Sequence, residues 1–407
     1  MQPTTPSKTS ANLSFSERLA KSLNQKNNDL IQLSDQRKNQ LLQAIFCQDM
    51  PTRKSLSQEY KLRPATVTDL IGELIELGLV AEDKTVNPSK PGRPEVYLRV
   101  QPNSLLGIVI MIDSLTIHAH LINLTGEILC SSSQTLDDHE LSNAQILTHF
   151  ETLAMSLTEK KTSGKVAGIV CSLPGLVDEE KICWVYSNRW PKISNLSFEQ
   201  LSSKTQLPVR IAKNLNNELR ARLIRHPEHM KESVLNIHWG YGIGTSYALR
   251  GDVIHTPLGG FGELGQTTVV DGESSATVES IASLRAMENE LRKYFPDNPL
   301  SESEFEKAFN EKNVADIPVI NRAINLMSVT LANAFLILFP QQIVITGPFA
   351  RTPEVFDKLQ EKFTAQLPAF ISDKVTLHVG QRAETDEMFG ALSPLFQSEI
   401  IKRLKSR

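Results

Sequence analysis

Two groups of residues in this sequence are spaced for chemistry. In the first, the turn Gly240-Tyr-Gly-Ile-Gly244 lets backbone amides approach an anion or a sugar oxygen, because no Cβ stands in the way. A tight hairpin accounts for that turn equally well. Glu263 lies among Gly259, Gly260, Gly262 and Gly265. A carboxylate there can accept hydrogen bonds from two hydroxyls of a polyol. The bland alternative is a solvated loop carboxylate. In the second group, Arg63, Thr66, Thr68 and Asp69 open an apolar-periodic segment, where a recognition helix inserts its first turns into a DNA groove. Lys90 and Arg93 stand among prolines in 87–94, a hairpin tip suited to phosphates or the minor groove. Arg53 completes the DNA-facing set.

The second group needs a small helical frame. Residues 1–12 are polar and rich in Thr, Ser and Pro, an expected disordered tail. Apolar positions at helical spacing up to Phe46 predict two helices. Thr52 can cap a helix running to Tyr60, and Lys61-Leu62-Arg63 forms the turn. Pro64 suits the first residue of the next helix, which buries Val67, Leu70, Ile71, Leu74 and Ile75 and ends at Gly78. Strands at 79–81 and 96–98 would flank the wing. The expected domain is a winged helix-turn-helix over 31–100, preceded by a tail and helix over 1–30. A small helical domain that binds protein is the alternative.

The first group needs an α/β frame. Strands predicted at 107–113, 116–122 and 127–132 recur about 125 residues later at 234–239, 244–249 and 253–256. Gly126 and Gly251 mark equivalent turns. Repeated β-β-β-α-β-α units imply two lobes, 105–230 and 231–407, with a cleft between them. Helices are expected near 277–295, 302–310, 317–338 and 353–366, strands at 342–346 and 375–379, and a last helix from about Asp386. The basic end 402–407 reads as a solvated helix end.

Composition narrows the class. With 407 residues, 40% hydrophobic and 22% charged, the chain fits a soluble protein of two or three domains. Its net charge of −3 hides an asymmetry: residues 1–100 carry +3 and the remainder −6, which permits a DNA-binding head. Cys47, Cys130, Cys171 and Cys183 include no C-x-x-C pair and read as reduced, buried residues of a cytoplasmic protein. No signal-peptide core is present at the start. The apolar stretch 326–339 is interrupted by Ser328, Thr330 and Asn333, so a core helix is expected rather than membrane insertion.

These residues resemble the ROK family (repressor, open reading frame, kinase) over nearly the whole chain. The resemblance is carried by Gly92-Arg93-Pro94, Leu173-Pro174-Gly175-Leu-Val-Asp178, the 240–244 turn, Gly262-Glu263-Leu-Gly265, Val278-Glu279-Ser-Ile-Ala282 and Ile343-Val-Ile-Thr-Gly347. It implies an actin/hexokinase-like two-lobed domain behind the winged helix. Sugar kinases of the family lack that head, so the chain is similar to the repressor branch. The resemblance implies sugar-facing roles for Asn188, Asn214, Glu263, Gln266 and Glu279. It also implies a homodimer or homotetramer on double-stranded, pseudo-palindromic operator DNA.

Departures from the family pattern argue against an enzyme. The family's Gly-Gly-Thr phosphate loop is here Ile110-Met-Ile-Asp-Ser-Leu115, without glycine. Its catalytic aspartate is Asn214 in Lys213-Asn-Leu-Asn216, and an amide cannot take a proton from a hydroxyl near neutral pH. Pro348 replaces a glycine of the nucleotide-side turn. The family's zinc histidine is Gln266, and Val270-Asp-Gly-Glu-Ser-Ser-Ala276 holds no cysteine, so no zinc or other cofactor is expected. His255 is a lone histidine nearby. The expected function is a carbohydrate-gene repressor controlled by a sugar or sugar phosphate. The alternatives are relief by a protein anti-repressor over a vestigial pocket, a sensor without DNA binding, and a sugar kinase.

Overall fold

The computed structural model describes residues 13–25, 30, 32–83, 96–113, 115–160, 163–256, 261–271, 274–295, 301–372, 374–381 and 385–405. The chain begins with four helices, α1 (Phe15–Gln25), α2 (Leu33–Cys47), α3 (Arg53–Glu59) and α4 (Pro64–Glu76). An antiparallel pair follows, β1 (Val80–Asp83) with β2 (Tyr97–Val100), in register Val80 to Val100. Local chemistry sets these ends. Thr52 and Ser55 form a reciprocal capping box at α3. Pro64 occupies the first turn of α4, and Gly78 takes φ +70° just past its end, where a side chain would be strained. Lys90, Arg93 and the rest of the expected wing lie outside the described residues.

The first lobe carries β3 (Leu106–Asp113), β4 (Thr116–Asn123), β5 (Ile128–Thr135), α5 (Asn143–Thr158) and β6 (Val166–Leu173). A small sheet, β7 (Leu176–Asp178), β8 (Cys183–Tyr186) and β9 (Leu196–Ser197), leads through α6 (Glu199–Thr205) to β10 (Val209–Lys213). Helix α7 (Asn214–Arg225) crosses to the second lobe. There follow β11 (Ser233–Trp239), β12 (Ile243–Leu249), β13 (Asp252–Val253), the hairpin β14 (Thr268–Asp271) and β15 (Ser274–Thr277), and α8 (Val278–Ala282). The lobe is completed by α9 (Leu284–Leu291), α10 (Glu302–Asn310), α11 (Pro318–Leu338), β16 (Gln342–Thr346), α12 (Pro353–Gln366) and β17 (Leu377–Val379). Last comes α13 (Asp386–Leu404).

The two large sheets share one strand order. The first runs β5-β4-β3-β6-β10 and the second β13-β12-β11-β16-β17. In each, a three-strand antiparallel meander is extended by two parallel strands. Gly126 and Gly251, at equivalent turns, take nearly the same φ, +86° and +87°. Both faces of each sheet are covered. Ile108 and Ile110 of β3 join one apolar cluster with α5, while Val109 joins another with α13. Leu219 and Leu223 of α7 pack on the second sheet, while Ala221 and Ile224 face the α13 side. Helices α7 and α13 therefore lie between the sheets.

Several expectations are corrected. The helix expected over 277–295 is two helices, because Ser283 is extended and caps α9 by accepting from the Ala286 amide (3.1 Å). The Leu284 amide at that break reaches the Gly240 carbonyl (2.8 Å). Only Cys171 is buried, Cys47 being exposed and the other two intermediate; all four are free thiols. The last helix was assigned to the second lobe, yet α13 packs on α7, β3 and β6. Its basic end is not simply solvated. Arg403 donates to the carbonyls of Leu77 (3.3 Å) and Ser104 (3.0 Å), tying α13 to the end of α4. Helix α11 has 21 residues, so by length and composition it could cross a bilayer, contrary to the shorter stretch expected. One of its faces, including Ile320, Ile324, Met327 and Leu331, is in the second-lobe core.

Candidate functional site

The candidate effector site is built on the end of β10, the start of α7 and the loops before α8. Lys213 ends β10 with its side chain 4% exposed, and its Nζ donates to Glu263 Oε1 (2.7 Å) and to the Phe261 carbonyl (3.4 Å). Asn214, the first residue of α7, accepts the Leu215 amide on Oδ1 (2.9 Å). Gly262, at φ +85°, lets the loop turn against β12, where Thr245 donates both its amide (3.1 Å) and its hydroxyl (2.6 Å) to the Gly262 carbonyl. That stitching holds Glu263 beside Lys213. Gln266 ends a single 3-10 turn whose amide returns to the Glu263 carbonyl (3.0 Å).

Glu279 joins the two lobes. Thr277 caps α8 and places Glu279 in its first turn. One oxygen of Glu279 accepts from the Ile243 amide (3.2 Å) and the other from Asn188 Nδ2 (2.9 Å). Asn188 also accepts the Tyr186 hydroxyl on its side chain and Arg285 Nη1 on its carbonyl (2.6 Å). Arg189 stacks over the Tyr241 ring at 5.2 Å. Burial pushes the Arg189 guanidinium down from its ordinary value and holds the Tyr241 phenol up at about 12, so the phenol is neutral at neutral pH. Of the expected sugar-facing residues, Asn188 is bonded to Glu279, while Glu263 is held by Lys213, the residue before Asn214, whose own side chain bonds the Leu215 amide. Gln266 lies next to Gly265, which packs against Glu279.

The glycine turn is occupied by the protein itself. Glu302 Oε1, from the start of α10, accepts from the Tyr241 amide (2.7 Å) and meets His238 Nε2 (3.0 Å). With Glu279 on Ile243, two carboxylates hold amides that an anion cradle would need. A phosphate there would be forced against like charge. Asp113 ends β3 in the expected phosphate-loop region. Glu302 and Lys213 were missed as site residues. Lys213 stood inside the Lys213-Asn-Leu-Asn216 motif, whereas nothing at Glu302 signals a position 61 residues from Tyr241 in sequence. The family's zinc does not fit this loop. Gln266 replaces the histidine, and the cysteines lie on α2, β5, β6 and β8.

On the helical head, Arg63 is the exposed N-cap of α4, Thr68 is exposed and Thr66 half-buried. The Thr68 hydroxyl bonds the Pro64 carbonyl (2.9 Å), which fixes its rotamer. Arg53 is paired with Glu82 of β1 (2.7 Å), so it would have to leave that partner to meet a phosphate.

A family model described as the ROK family matches residues 116–397. The chain is 25% identical to the xylose repressor of Caldicellulosiruptor bescii over 79% of this chain and 85% of that one. It is 22% identical to the DNA-binding transcriptional repressor Mlc of Escherichia coli, over 84% and 88%. Among solved structures, a ROK family transcriptional regulator described as a homolog of the E. coli Mlc protein superposes with a TM-score of 0.69 at 20% identity. That match covers 91% of this chain and 98% of the other.

Proposed function

The chain belongs to the ROK family, and from that premise we propose that it is a sequence-specific DNA-binding repressor of carbohydrate uptake or catabolic genes. Its two-lobed domain would bind a sugar without phosphorylating it. The observation that carries the reading is the first turn of α4. Arg63, Thr66 and Thr68 are presented at the free end of a helix whose other face is buried through Val67, Leu70, Ile71 and Leu74. Helix α3, the turn at Lys61, helix α4 and the β1–β2 pair follow in the order of a winged helix-turn-helix. Arg63 and the two threonines would read major-groove edges, while Lys90 and Arg93 hold the flanking backbone. The repressor names of the similar proteins support the same reading.

The effector would be a neutral sugar rather than a sugar phosphate. Glu263 and Glu279 offer carboxylate acceptors for hydroxyls, and the glycine turn already carries Glu279 and Glu302. Asn214 in place of an aspartate leaves no base to activate the sugar hydroxyl. The shared strand order of the two lobes supports reading them as a duplicated unit that closes on the ligand. The protein would act in the cytoplasm as a homodimer or homotetramer.

The test is selection of genomic DNA fragments by the purified protein, with Arg63→Ala as control. Enrichment of a short palindrome that the variant binds at least tenfold more weakly supports the assignment. Equal binding by the variant removes it. Thermal melting with neutral aldoses and their phosphates then separates the effector classes, since only a bound ligand raises the melting temperature. No shift with any sugar would favour a protein anti-repressor.

A further inference from the structure

We propose that the turn between α7 and β11 is a divalent transition-metal site, with His226, Glu228 and His229 as ligands and Glu232 as the outer partner of His229. Helix α7 ends at Arg225, and the His226 amide makes the last helical bond, to the Arg222 carbonyl (2.8 Å). Pro227 then opens a 3-10 helix, Pro227–Lys231. Two successive turns close from the His229 amide to the His226 carbonyl (3.0 Å) and from the Glu232 amide to the His229 carbonyl (3.1 Å). At three residues per turn, side chains three apart lie over one another. Positions 226, 229 and 232 therefore share one side of the turn, and Glu228 reaches in beside them.

The ligand atoms of His226, Glu228 and His229 all lie within 4.8 Å of one another. Glu228 Oε1 is 3.0 Å from His226 Nδ1 and 3.9 Å from His229 Nε2. Donors around a tetrahedral zinc with bonds near 2.0–2.1 Å stand about 3.3–3.4 Å apart. These two spacings bracket that value, and the third pair lies within 4.8 Å, so closing on an ion needs side-chain adjustment and no rebuilding of the turn. The orientation of His229 is the stronger argument. Its Nδ1 meets Glu232 Oε2 at 2.7 Å, which keeps the proton on Nδ1 and leaves the Nε2 lone pair facing Glu228. A carboxylate behind the remote nitrogen is the arrangement that orients metal-bound histidines.

Two imidazoles and one carboxylate suit zinc, cobalt, nickel or copper and not magnesium or calcium, which prefer all-oxygen sets. Glu228 is 55% exposed, so a fourth position is open to water. Arg222 lies close enough for its charge to act on Glu228, and it opposes the ion. Glu228 and Glu232 together offset that cation. The site is distinct from the zinc loop of the family, which here lacks its ligands. It joins α7, between the two sheets, to β11, the middle strand of the second sheet. A bound ion would brace the segment that links the lobes.

The test uses untagged full-length protein, stripped with chelator and titrated with cobalt(II), then zinc. The proposal expects one equivalent of cobalt with intense visible bands, displaced by zinc, and a higher melting temperature with either ion. His229→Gln and Glu228→Gln should each weaken zinc binding more than tenfold. Glu232→Gln, which removes no ligand, should weaken it by roughly tenfold. A variant with Cys47→Ser and Cys130→Ser should bind as the parent does. Unchanged zinc affinity in folded His229→Gln would place the ion elsewhere and overturn the proposal. So would loss of binding in the cysteine variant, or no binding by the parent at 100-fold excess of zinc over protein.

Discussion

Lys213 and Glu263 form an unequal pair. The lysine side chain is 4% exposed and the glutamate 33%, so water can replace the lysine as partner of Glu263 but cannot replace Glu263 for Lys213. Breaking a buried pair costs most on the side left uncompensated, about 3–5 kcal/mol. Glu263→Gln is therefore expected to lower unfolding free energy by about 2–3 kcal/mol, discounted because Glu263 is partly solvated. Lys213→Met should cost less than half of that. Urea unfolding of the two variants decides the matter, and equal losses would show that the pair does not have this asymmetry. If a sugar is the effector as proposed, its hydroxyls would have to leave one Glu263 oxygen to Lys213, which would restrict the polyol geometry.

At the scale of elements, one carboxylate holds three helices. Asp386, at the start of α13, accepts from Arg18 Nη1 of α1 (3.0 Å) and from Arg225 Nη2 of α7. All three side chains are under 10% exposed. Arg18 also lies over the Phe389 ring at 4.7 Å, and Phe15 packs edge-on against Phe389. Burial pushes the Arg225 guanidinium down to about 10, helped by the charges of Arg18 and Arg222, yet it stays ionised at neutral pH. Asp386→Asn leaves two buried cations without a counter-charge and should destabilise the protein by about 3–5 kcal/mol. Asp386→Glu, which keeps the charge, should recover much of it. A melting curve that separates into two transitions in the Asn variant would show that α1 couples the head to the lobes. A single, unshifted transition would mean the clamp contributes nothing.

Across the whole molecule, helix α11 turns an apolar face outward. Val329, Leu336 and Ile337 are 41%, 40% and 81% exposed, and Val270 of the β14–β15 hairpin is 83% exposed. The three helix residues lie at helical spacing on the side of α11 away from its core face. A monomer rarely leaves such a strip in water, so a second copy of the chain is the expected cover. Ile337→Glu combined with Val329→Asp should shift the protein to half its mass in light scattering while leaving the melting of each lobe intact. Under the proposed function it should also weaken operator binding, because a single recognition helix would reach only one half-site. A variant that keeps the parent mass would move the subunit contact to another face.

The sequence by itself determined the elements whose signals are local. The Thr52 cap, Pro64 and Gly78 bracket α3 and α4 through backbone preferences of single residues. The alternating and continuous apolar runs of β3 to β6 and of β11, β12 and β16 are each explained by burial of their own side chains. Glu263 stood out through the glycines around it, whereas Glu279 entered only through the family resemblance. Only the tertiary structure decided what those residues meet. Glu302 reaches the glycine turn from another helix, and Lys213 holds Glu263 across 50 residues of chain. Asp386 gathers Arg18 and Arg225 from the far end of the sequence. Such contacts have no period and no local propensity, since a charge finds its partner through the packing of whole layers. The same is true of α13, which crosses back between the sheets to touch the head. Local backbone preference writes an element into its own residues, whereas the pairing of buried charge is fixed only when the core closes around it.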